Sequence, residues 1–255
     1  MVSHDSAAWL PACLTSLRET SLDPRPQVLV VDNASTDGGP DLVREAYPEV
    51  ALIANDANLG FARAVNQGWR EAAGRNLLVL NPDIVVQPGA LKVLHDYLTS
   101  HPDVGLVAPR LVGTDGTLQY SCRRHYTAGA YLLRRTPLWR LFPDHRALRR
   151  HLMADWDHAE VREVDWVQGA AMMIRGEALG ETALDERFFL YFEDVDLCLR
   201  LQHSGWKVTY HPGAEMVHHH QRASATGLWS RHKREHFKSW VRFSLKHARR
   251  GARRS

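Results

Sequence analysis

Two short apolar runs, each followed directly by polar turn-forming residues, constrain the fold of this chain more than any other feature. Residues 27–31 (Gln-Val-Leu-Val-Val) lead into the polar residues 32–39, and residues 77–80 (Leu-Leu-Val-Leu) lead into 81–83 (Asn-Pro-Asp). Continuous apolar runs of this length are typical of strands that are buried on both faces of a parallel sheet. Ligands bind outside the carboxyl ends of such strands, so both polar clusters are candidate binding elements.

Predicted helices alternate with these strands. They cover about residues 9–19, 62–73 and 88–100, and a further strand over 104–108 is expected to stop at Pro109. Because strands that alternate with helices form βαβ units, we predict an α/β fold with a mostly parallel central sheet.

The start of the chain is unusual for such a fold. Only Met1 and Val2 precede Ser3-His4-Asp5, which has the composition of a loop at the end of a strand. We therefore expect a truncated first strand: either this strand is rudimentary or the true start lies upstream.

The second half of the chain has weaker periodicity. A strand-like run over 164–174 is interrupted in its middle, and the aromatic residues 188–192 are interpreted as another strand. Apolar residues at helical spacing predict a helix over about 194–204. A last strand, 206–211, is expected to end before a Pro-Gly pair.

Composition excludes several classes of protein. Of the 255 residues 44% are hydrophobic and 24% charged, which is ordinary globular usage and not that of a disordered, collagenous or disulfide-rich chain. The three cysteines are far apart and form no CxxC motif, so we expect reduced thiols in a cytosolic protein. No 18-residue apolar run and no signal-peptide stretch are present. Gly-rich dinucleotide and P-loop motifs are also absent.

Acidic side chains at the predicted strand ends are suited to cations or nucleotides. Asp83 with Asn81 offers oxygen ligands for Mg²⁺ or Mn²⁺, although an Asx-Pro turn that ends the strand explains the same residues. Asp32, beside Asn33 and Asp37, can accept hydrogen bonds from a base or ribose, or else it serves a turn and a helix cap. Both interpretations stay open for both clusters.

Three other segments have the same double interpretation. Residues 58–62 (Asn-Leu-Gly-Phe-Ala) open a helix to whose N-terminus phosphate could bind, or they form a capping loop. The carboxylates of 193–196 supply a general base, or they cap a helix. The histidines 218–220 supply a cation ligand, or they form a solvated turn.

Taken in order, these segments resemble the inverting glycosyltransferases of the GT-A fold, family 2, and among them the bacterial rhamnosyltransferase-like branch. The resemblance extends over about residues 3–222. The matching segments are 30–38, 58–62 with Asn66, 80–83, 167–171, 188–196 and 218–220.

The resemblance implies a Rossmann-like nucleotide-diphospho-sugar transferase domain over residues 1–227, followed by a tail over 228–255. The implied reaction moves a sugar from dTDP-rhamnose or a UDP-hexose, with inversion, to a hydroxyl of a glycan or lipid-linked acceptor in cell-envelope polysaccharide synthesis. The implied cofactor is Mn²⁺ or Mg²⁺.

The resemblance also implies roles for individual residues. Asp194 matches the catalytic base, with Glu193 beside it. Asp83 ends the metal-binding DxD motif, in which Asn81 replaces the first acid, and among the late histidines we prefer His218 as the second metal ligand. The implied donor-binding residues are Asp32, Asn33, Asn58, Gly60, Asn66, Asn81, Asp83, Gln168 and Gly169.

The charge of the chain is unevenly distributed. Residues 228–255 hold ten Lys or Arg and one Glu (net +9), whereas the remainder holds 22 Lys or Arg and 28 Asp or Glu (net −6). Because Trp240 shares a helical face with Phe237 and Phe243, we hypothesise an amphipathic helix on an anionic membrane surface. The enzyme would then be peripheral on the cytoplasmic face of the inner membrane, and the Arg-rich stretch 131–153 would join this surface.

Other interpretations remain. A solvated basic helix end explains the tail equally well, and the acidic body argues against a nucleic-acid partner. A nucleotidyltransferase is an alternative enzyme class, and a degenerate nucleotide- or glycan-binding module is a non-enzymatic alternative.

Overall fold

The computed structural model describes residues 1–126, 145–219 and 231–251. The helices of these residues are α1 (Leu10–Arg18), α2 (Gly39–Ala46), α3 (Phe61–Arg70), α4 (Ala90–Ser100), α5 (Arg146–Leu152), α6 (Glu193–His203) and α7 (Arg231–Gly251). The strands are β1 (Val2–Ser3), β2 (Leu29–Asp32), β3 (Ala51–Ala54), β4 (Asn76–Leu80), β5 (Ile84–Val86), β6 (Val104–Val112), β7 (Leu118–Gln119), β8 (Cys122–Arg123), β9 (Arg162–Glu163), β10 (Trp166–Val167), β11 (Ala171–Arg175) and β12 (Lys207–His218).

The strands confirm the predicted α/β architecture. The first three pair in the order β1-β2-β3 and run parallel. A larger sheet has the order β4-β11-β6-β12-β5, in which β6 and β12 are parallel and the other neighbours are antiparallel. The sheet is therefore mixed, because β11 runs antiparallel to both of its neighbours and β12 runs antiparallel to β5. One hydrophobic cluster packs α3 and α6 against the larger sheet, and another packs α1 and α4 against it.

The first strand is short, as the sequence predicts. β1 has two residues, whereas β2 has four and β4 has five. A cavity of about 520 Å³ lies beside β1, between β2 and β4. Apolar side chains line most of it, among them Leu29, Val31, Val65, Leu77 and Val79.

Two strands extend through prolines at which the sequence predicts an end. β6 continues past Pro109 to Val112, and β12 continues past Pro212 to His218. Pro109 pairs with His211, and the register between β6 and β12 shifts directly after that pair. Strand pairing is interrupted at this bulge, so the N–H groups that the two prolines lack are not needed for pairing. Neither proline therefore ends its strand.

The aromatic residues 188–192 form bends and no strand, which corrects the sequence interpretation. Tyr191 and Phe192 have φ angles of 69° and 70°. These left-handed conformations are unfavourable for residues with a Cβ and cost on the order of 1–3 kcal/mol each, so neighbouring contacts must hold them. Phe192 is directly followed by α6.

Helix α7 packs on the body of the protein, whereas the sequence predicts a separate tail from residue 228. Its buried residues include His236 and Ser239, and Trp240 and Phe243 contact the hydrophobic cluster around α6. The face that carries Trp240 and Phe243, which we assigned to a membrane, therefore contacts protein. Residues 131–144, 228–230 and 252–255 of the predicted membrane surface lie outside the described residues.

Candidate active site

The first element of the site is the end of β2. Asp32 is buried, and its carboxylate accepts hydrogen bonds from the backbone N–H and the hydroxyl of Ser35. Asn33, also buried, donates through Nδ2 to the Gly60 carbonyl at 3.2 Å and accepts from Asn55. Asn33 thus joins the β2 end to the loop before α3, and its contribution to a donor site is to hold that loop.

The loop before α3 touches the aromatic segment closely. Gly60 has a φ of 89°, and a Cβ at this position would lie 2.7 Å from the Phe189 carbonyl oxygen. Asn58 accepts a hydrogen bond from the Gly60 amide at 3.0 Å, and the Phe61 amide donates to the Phe189 carbonyl at 2.8 Å. The glycine is required here both for its backbone conformation and for the space it leaves.

Asn66 corrects one of the predicted donor contacts. Its side chain is fully buried. The amide donates to the Leu184 carbonyl and to Glu186, and it accepts from the Leu184 amide at 2.9 Å. Since its hydrogen-bonding groups are all used inside the protein, Asn66 does not contact a donor but fixes the segment before the aromatic residues.

Asp83 and His218 lie together at the other side of the site. Asp83 Oδ2 is 3.5 Å from His218 Nε2, and both side chains are largely buried. Nδ1 of His218 is 2.7 Å from the Gln119 Oε1, while Gln119 Nε2 donates to the His218 carbonyl at 2.8 Å. Because an amide oxygen only accepts, Nδ1 carries a hydrogen, and Nε2 is the ring nitrogen that faces Asp83.

This arrangement fits a divalent cation. A carboxylate oxygen and a correctly oriented imidazole nitrogen are both ligands for Mn²⁺ and related metals. In the part of the chain that the structure describes, no group of three His, Cys, Asp or Glu residues is placed to hold a metal. Two protein ligands suit a cation that takes its remaining ligands from phosphate oxygens and water.

The other late histidines differ from His218. The His219 ring lies 5.1 Å from the Trp9 ring, and its backbone N–H donates to the Asp83 carbonyl. His220 lies outside the described residues. Sequence reasoning missed Gln119, since no local pattern connects a glutamine in a two-residue strand with a histidine 99 positions later.

A short path of hydrogen bonds from backbone amides connects the segment that carries Asn81 and Asp83 to the acidic pair. The Asn81 amide donates to the Ala170 carbonyl at 2.8 Å. The neighbouring Gly169 amide donates to Asp194 Oδ2 at 3.0 Å. Gln168 is fixed in turn by its amide, which donates to the Ser121 carbonyl. The structure thus brings the predicted 81–83 and 168–169 segments together with Asp194.

Asp194 lies at the start of α6, and both of its carboxylate oxygens accept hydrogen bonds from backbone amides. Its second oxygen, Oδ1, accepts from the Val195 amide at 2.8 Å. Burial raises the pKa of Asp194, and the hydrogen bonds from the Gly169 and Val195 amides and the charge of Arg123 oppose this shift. The N-cap residue of α6 is Phe192, which makes no side-chain capping hydrogen bond, whereas Glu193, Asp194 and Asp196 lie in the first turn, as the capping interpretation also expects.

The carboxyl group of Glu193, unlike that of Asp194, lies in an environment that disfavours its charged form. It is 5% exposed, and its Oε2 has no hydrogen-bond partner among the described residues. Burial and the neighbouring charge of Asp194 raise the pKa of Glu193 well above its ordinary value. Burial and the neighbouring charge thus favour the neutral form of Glu193, whereas the amides of Gly169 and Val195 favour the ionised form of Asp194.

Two family models and several named relatives match this chain over much of its length. A family model described as glycosyl transferase family 2 matches residues 1–157, and one described as glycosyltransferase (GlcNAc) matches residues 90–252. The N-acetylglucosaminyl-diphospho-decaprenol L-rhamnosyltransferase of Mycobacterium tuberculosis is 35% identical over 214 residues, which cover 78% of this chain and 68% of that protein.

Solved structures share the fold. A mannosyltransferase from Pyrobaculum calidifontis, in complex with GDP-Man and Mn²⁺, is 20% identical with a TM-score of 0.56, over 87% of this chain and 56% of that one. GalNAc-T7, solved with UDP, GalNAc and Mn²⁺, is 16% identical with a TM-score of 0.67, over 96% of this chain and 46% of that one. This chain thus spans about half the length of these structures, and the likeness confirms the GT-A fold.

Proposed function

The chain belongs to glycosyl transferase family 2, and from that premise we propose that it transfers a sugar from a nucleoside-diphosphate sugar to a hydroxyl of a lipid-linked acceptor, with inversion at the anomeric carbon. The observation that carries the proposal is the backbone-linked arrangement of the Asp194 carboxylate and the Asp83–His218 pair. One group is suited to take a proton from the acceptor, and the other to hold the leaving diphosphate.

Asp194 is the general base of the proposed mechanism. Its carboxylate takes the proton from the acceptor hydroxyl while the hydroxyl oxygen attacks the anomeric carbon and the bond to the diphosphate breaks. A single displacement of this kind inverts the anomeric centre. Glu193 stays protonated and neutral, so that the negative charge of the pair is kept on the residue that two amides orient.

Asp83 and His218 would hold Mn²⁺ or Mg²⁺, with Gln119 fixing the imidazole. Such a cation neutralises the negative charge that develops on the diphosphate as it leaves. Asp32 and the loop held by Asn33 would bind the nucleoside part, and Asn58 and Gly60 would line the same cleft. Asn81 stands where the resemblance implies the first acid of the DxD motif, so one charge is missing and we expect a weaker cation site than two acids would form.

The donor that we propose first is dTDP-rhamnose, with UDP-hexoses as the alternative. The similarity to the M. tuberculosis rhamnosyltransferase over 78% of the chain supports rhamnose as the sugar and a polyprenyl-diphosphate-linked acceptor. The test is incubation with each nucleotide sugar, Mn²⁺ and N-acetylglucosaminyl-diphospho-polyprenol, followed by mass spectrometry. NMR of the new glycosidic bond then decides between inversion and retention.

We also propose that the enzyme works at the cytoplasmic surface of a membrane. None of the helices in the described residues is long and apolar enough to cross one. The outward face of α7 carries Phe237 and Leu245, each 58% exposed, beside the exposed basic residues Arg234 and Lys238. On one helix face, apolar side chains can enter a membrane surface while cationic side chains contact anionic lipid headgroups. This surface would bring the site to a lipid-linked acceptor.

A further inference from the structure

The inward face of α7 reaches the segment that leads to the catalytic base. Lys246 Nζ lies 2.7 Å from Asp185 Oδ2 and 2.6 Å from Asp196 Oδ1, so one ammonium joins two carboxylates that are eleven positions apart. The side chains are 10%, 13% and 0% exposed respectively. A buried ammonium between two buried carboxylates is far more constrained than a surface ion pair.

The two carboxylates bracket the strained aromatic segment. Asp185 comes before it, and Asp196 comes after it, in the first turn of α6 and two residues from Asp194. Two more contacts from α7 reach the same segment: Ser239 donates to the Leu190 carbonyl at 2.9 Å, and Arg242 donates to the Arg187 carbonyl at 2.8 Å. Left-handed conformations such as those of Tyr191 and Phe192 persist only where the surroundings fix them.

The remaining partners of these carboxylates do not replace Lys246. Asp196 also contacts Arg200 of its own helix and His247 of α7. Asp185 also contacts Arg187, two residues away. Among the ion pairs of these two carboxylates, the contacts of Lys246 alone join both ends of the segment to α7.

We propose that Lys246 is a positioning residue of the transferase, which holds Asp194 in its catalytic orientation by fixing the 185–196 segment at both ends. This inference rests on the proposed function and adds a residue to it, since nothing in the acidic motif itself points to α7. The donor side of the same segment is held separately by Asn66 and by the Phe189–Phe61 hydrogen bond. Loss of Lys246 is therefore expected to affect turnover more than nucleotide binding.

The test compares Lys246→Met, Lys246→Arg and Lys207→Met in the full chain. Lys207 forms a 2.6 Å pair with Asp103, but both side chains are about half exposed, which makes it a matched control for the loss of a lysine–aspartate pair. Three quantities are measured for each variant: the folded fraction by circular dichroism, the affinity for UDP and dTDP with Mn²⁺ by calorimetry, and the rate of nucleoside diphosphate release from the donor.

Lys246→Met is expected to lower kcat per folded molecule by about tenfold to a hundredfold, with nucleotide affinity unchanged. Lys246→Arg should restore most of this loss, and Lys207→Met should match the wild type. The inference is overturned if kcat per folded molecule stays at the wild-type value in Lys246→Met. A wild-type chain that binds no nucleotide would contradict the proposed function itself, which separates the two failures.

A second variant covers the case in which Lys246→Met does not fold. Asp185→Asn removes one end of the bridge and leaves the deeply buried Asp196–Lys246 pair in place. The same drop in kcat at unchanged nucleotide affinity is expected. Wild-type kcat in a folded Asp185→Asn variant would contradict a positioning role for the bridge.

Discussion

The Gly169 amide donates a 3.0 Å hydrogen bond to the Asp194 carboxylate. Gly169 precedes Ala170, whose carbonyl accepts from Asn81, so the residues that lead into β11 contact both the segment that carries Asp83 and the Asp194 carboxylate. Backbone contacts therefore set the position of Asp194, the proposed base, relative to the proposed diphosphate site. Such contacts are stiffer than contacts between side chains. An inverting displacement depends on that position, since base and leaving group act on opposite sides of one carbon.

Replacing Asp194 by Asn should abolish most of the activity. The asparagine keeps the size of the side chain but cannot take a proton, so we expect kcat to fall by about 10²–10⁴-fold or more. Glu193→Gln is the matched control. It should retain far more activity, because Glu193 is already neutral in the folded protein. The rate of nucleoside diphosphate release measures both, and equal losses in the two variants would contradict the assignment of roles.

The raised pKa of Glu193 predicts that the stability of the folded chain depends on pH. Burial raises its pKa above the unfolded value, so at intermediate pH the folded chain holds a proton that the unfolded chain has released. The free energy of unfolding should therefore decrease as the pH rises through this interval. Glu193→Gln removes this contribution, and its urea unfolding should depend less on pH and show greater stability at pH values above the interval. A parallel pH dependence in wild type and variant would refute the prediction.

The cation-binding residues predict a graded effect of substitution. Asp83→Ala should remove the Mn²⁺-dependent part of nucleotide binding, because one of the two protein ligands is lost. Gln119→Leu leaves both ligands in place but frees the imidazole tautomer, and it should weaken Mn²⁺ affinity about 10–100-fold. Calorimetry of UDP or dTDP binding at varied Mn²⁺ measures both. Unchanged Mn²⁺ dependence in Gln119→Leu would show that the glutamine does not orient His218.

Gly60 should tolerate alanine less well than Gly89 does. Both glycines have a positive φ, but Gly89 (ψ −13°) is left-handed helical, where alanine costs roughly 1–2 kcal/mol, whereas Gly60 (ψ 165°) lies in a region that essentially only glycine adopts. At Gly60 the new methyl group would also meet the Phe189 carbonyl at 2.7 Å, whereas at Gly89 nothing lies within 4 Å. Denaturant unfolding should thus give a larger loss for Gly60→Ala. Equal losses would mean that the loop and the aromatic segment are not in contact.

The outward face of α7 should bind anionic vesicles in a flotation assay at low salt. Replacing Phe237 and Leu245 by serine should weaken binding, because these are the exposed apolar side chains of that face. Val161→Ser is the control, since Val161 is an exposed apolar residue outside α7. If the full chain does not float with the vesicles at low salt, the proposed membrane surface is wrong.

Strands and helices that depend on a contiguous stretch of residues could be predicted from the sequence. Strand β2 with Asp32, strand β4 with Asn81 and Asp83, and the helix that begins at Glu193 each follow from a contiguous pattern of apolar and polar residues. The structure places β1 where a short strand is expected. Patterns of this kind identify an element and its polar end, and they therefore also identify the candidate site.

Contacts between distant segments account for what the sequence did not reveal. Helical periodicity correctly places Trp240 and Phe243 on one face of a helix, but it cannot tell whether that face packs on protein or on lipid. Likewise, Pro109 and Pro212 predict strand ends only as long as the bulge that follows the Pro109–His211 pair is unknown. The partners of His218 and Asp196 are found 99 and about 50 positions away, where spacing carries no information.

Donor binding by calorimetry tests the central claim most directly. The wild-type chain and Asp83→Ala are titrated with dTDP-rhamnose, UDP-glucose, UDP-galactose and GDP-mannose, each with Mn²⁺ and with EDTA. We predict that one donor, dTDP-rhamnose, binds the wild type with Mn²⁺, and that EDTA or Asp83→Ala removes this binding. A chain that binds none of the four donors, or binds them equally with and without the cation, would contradict the account.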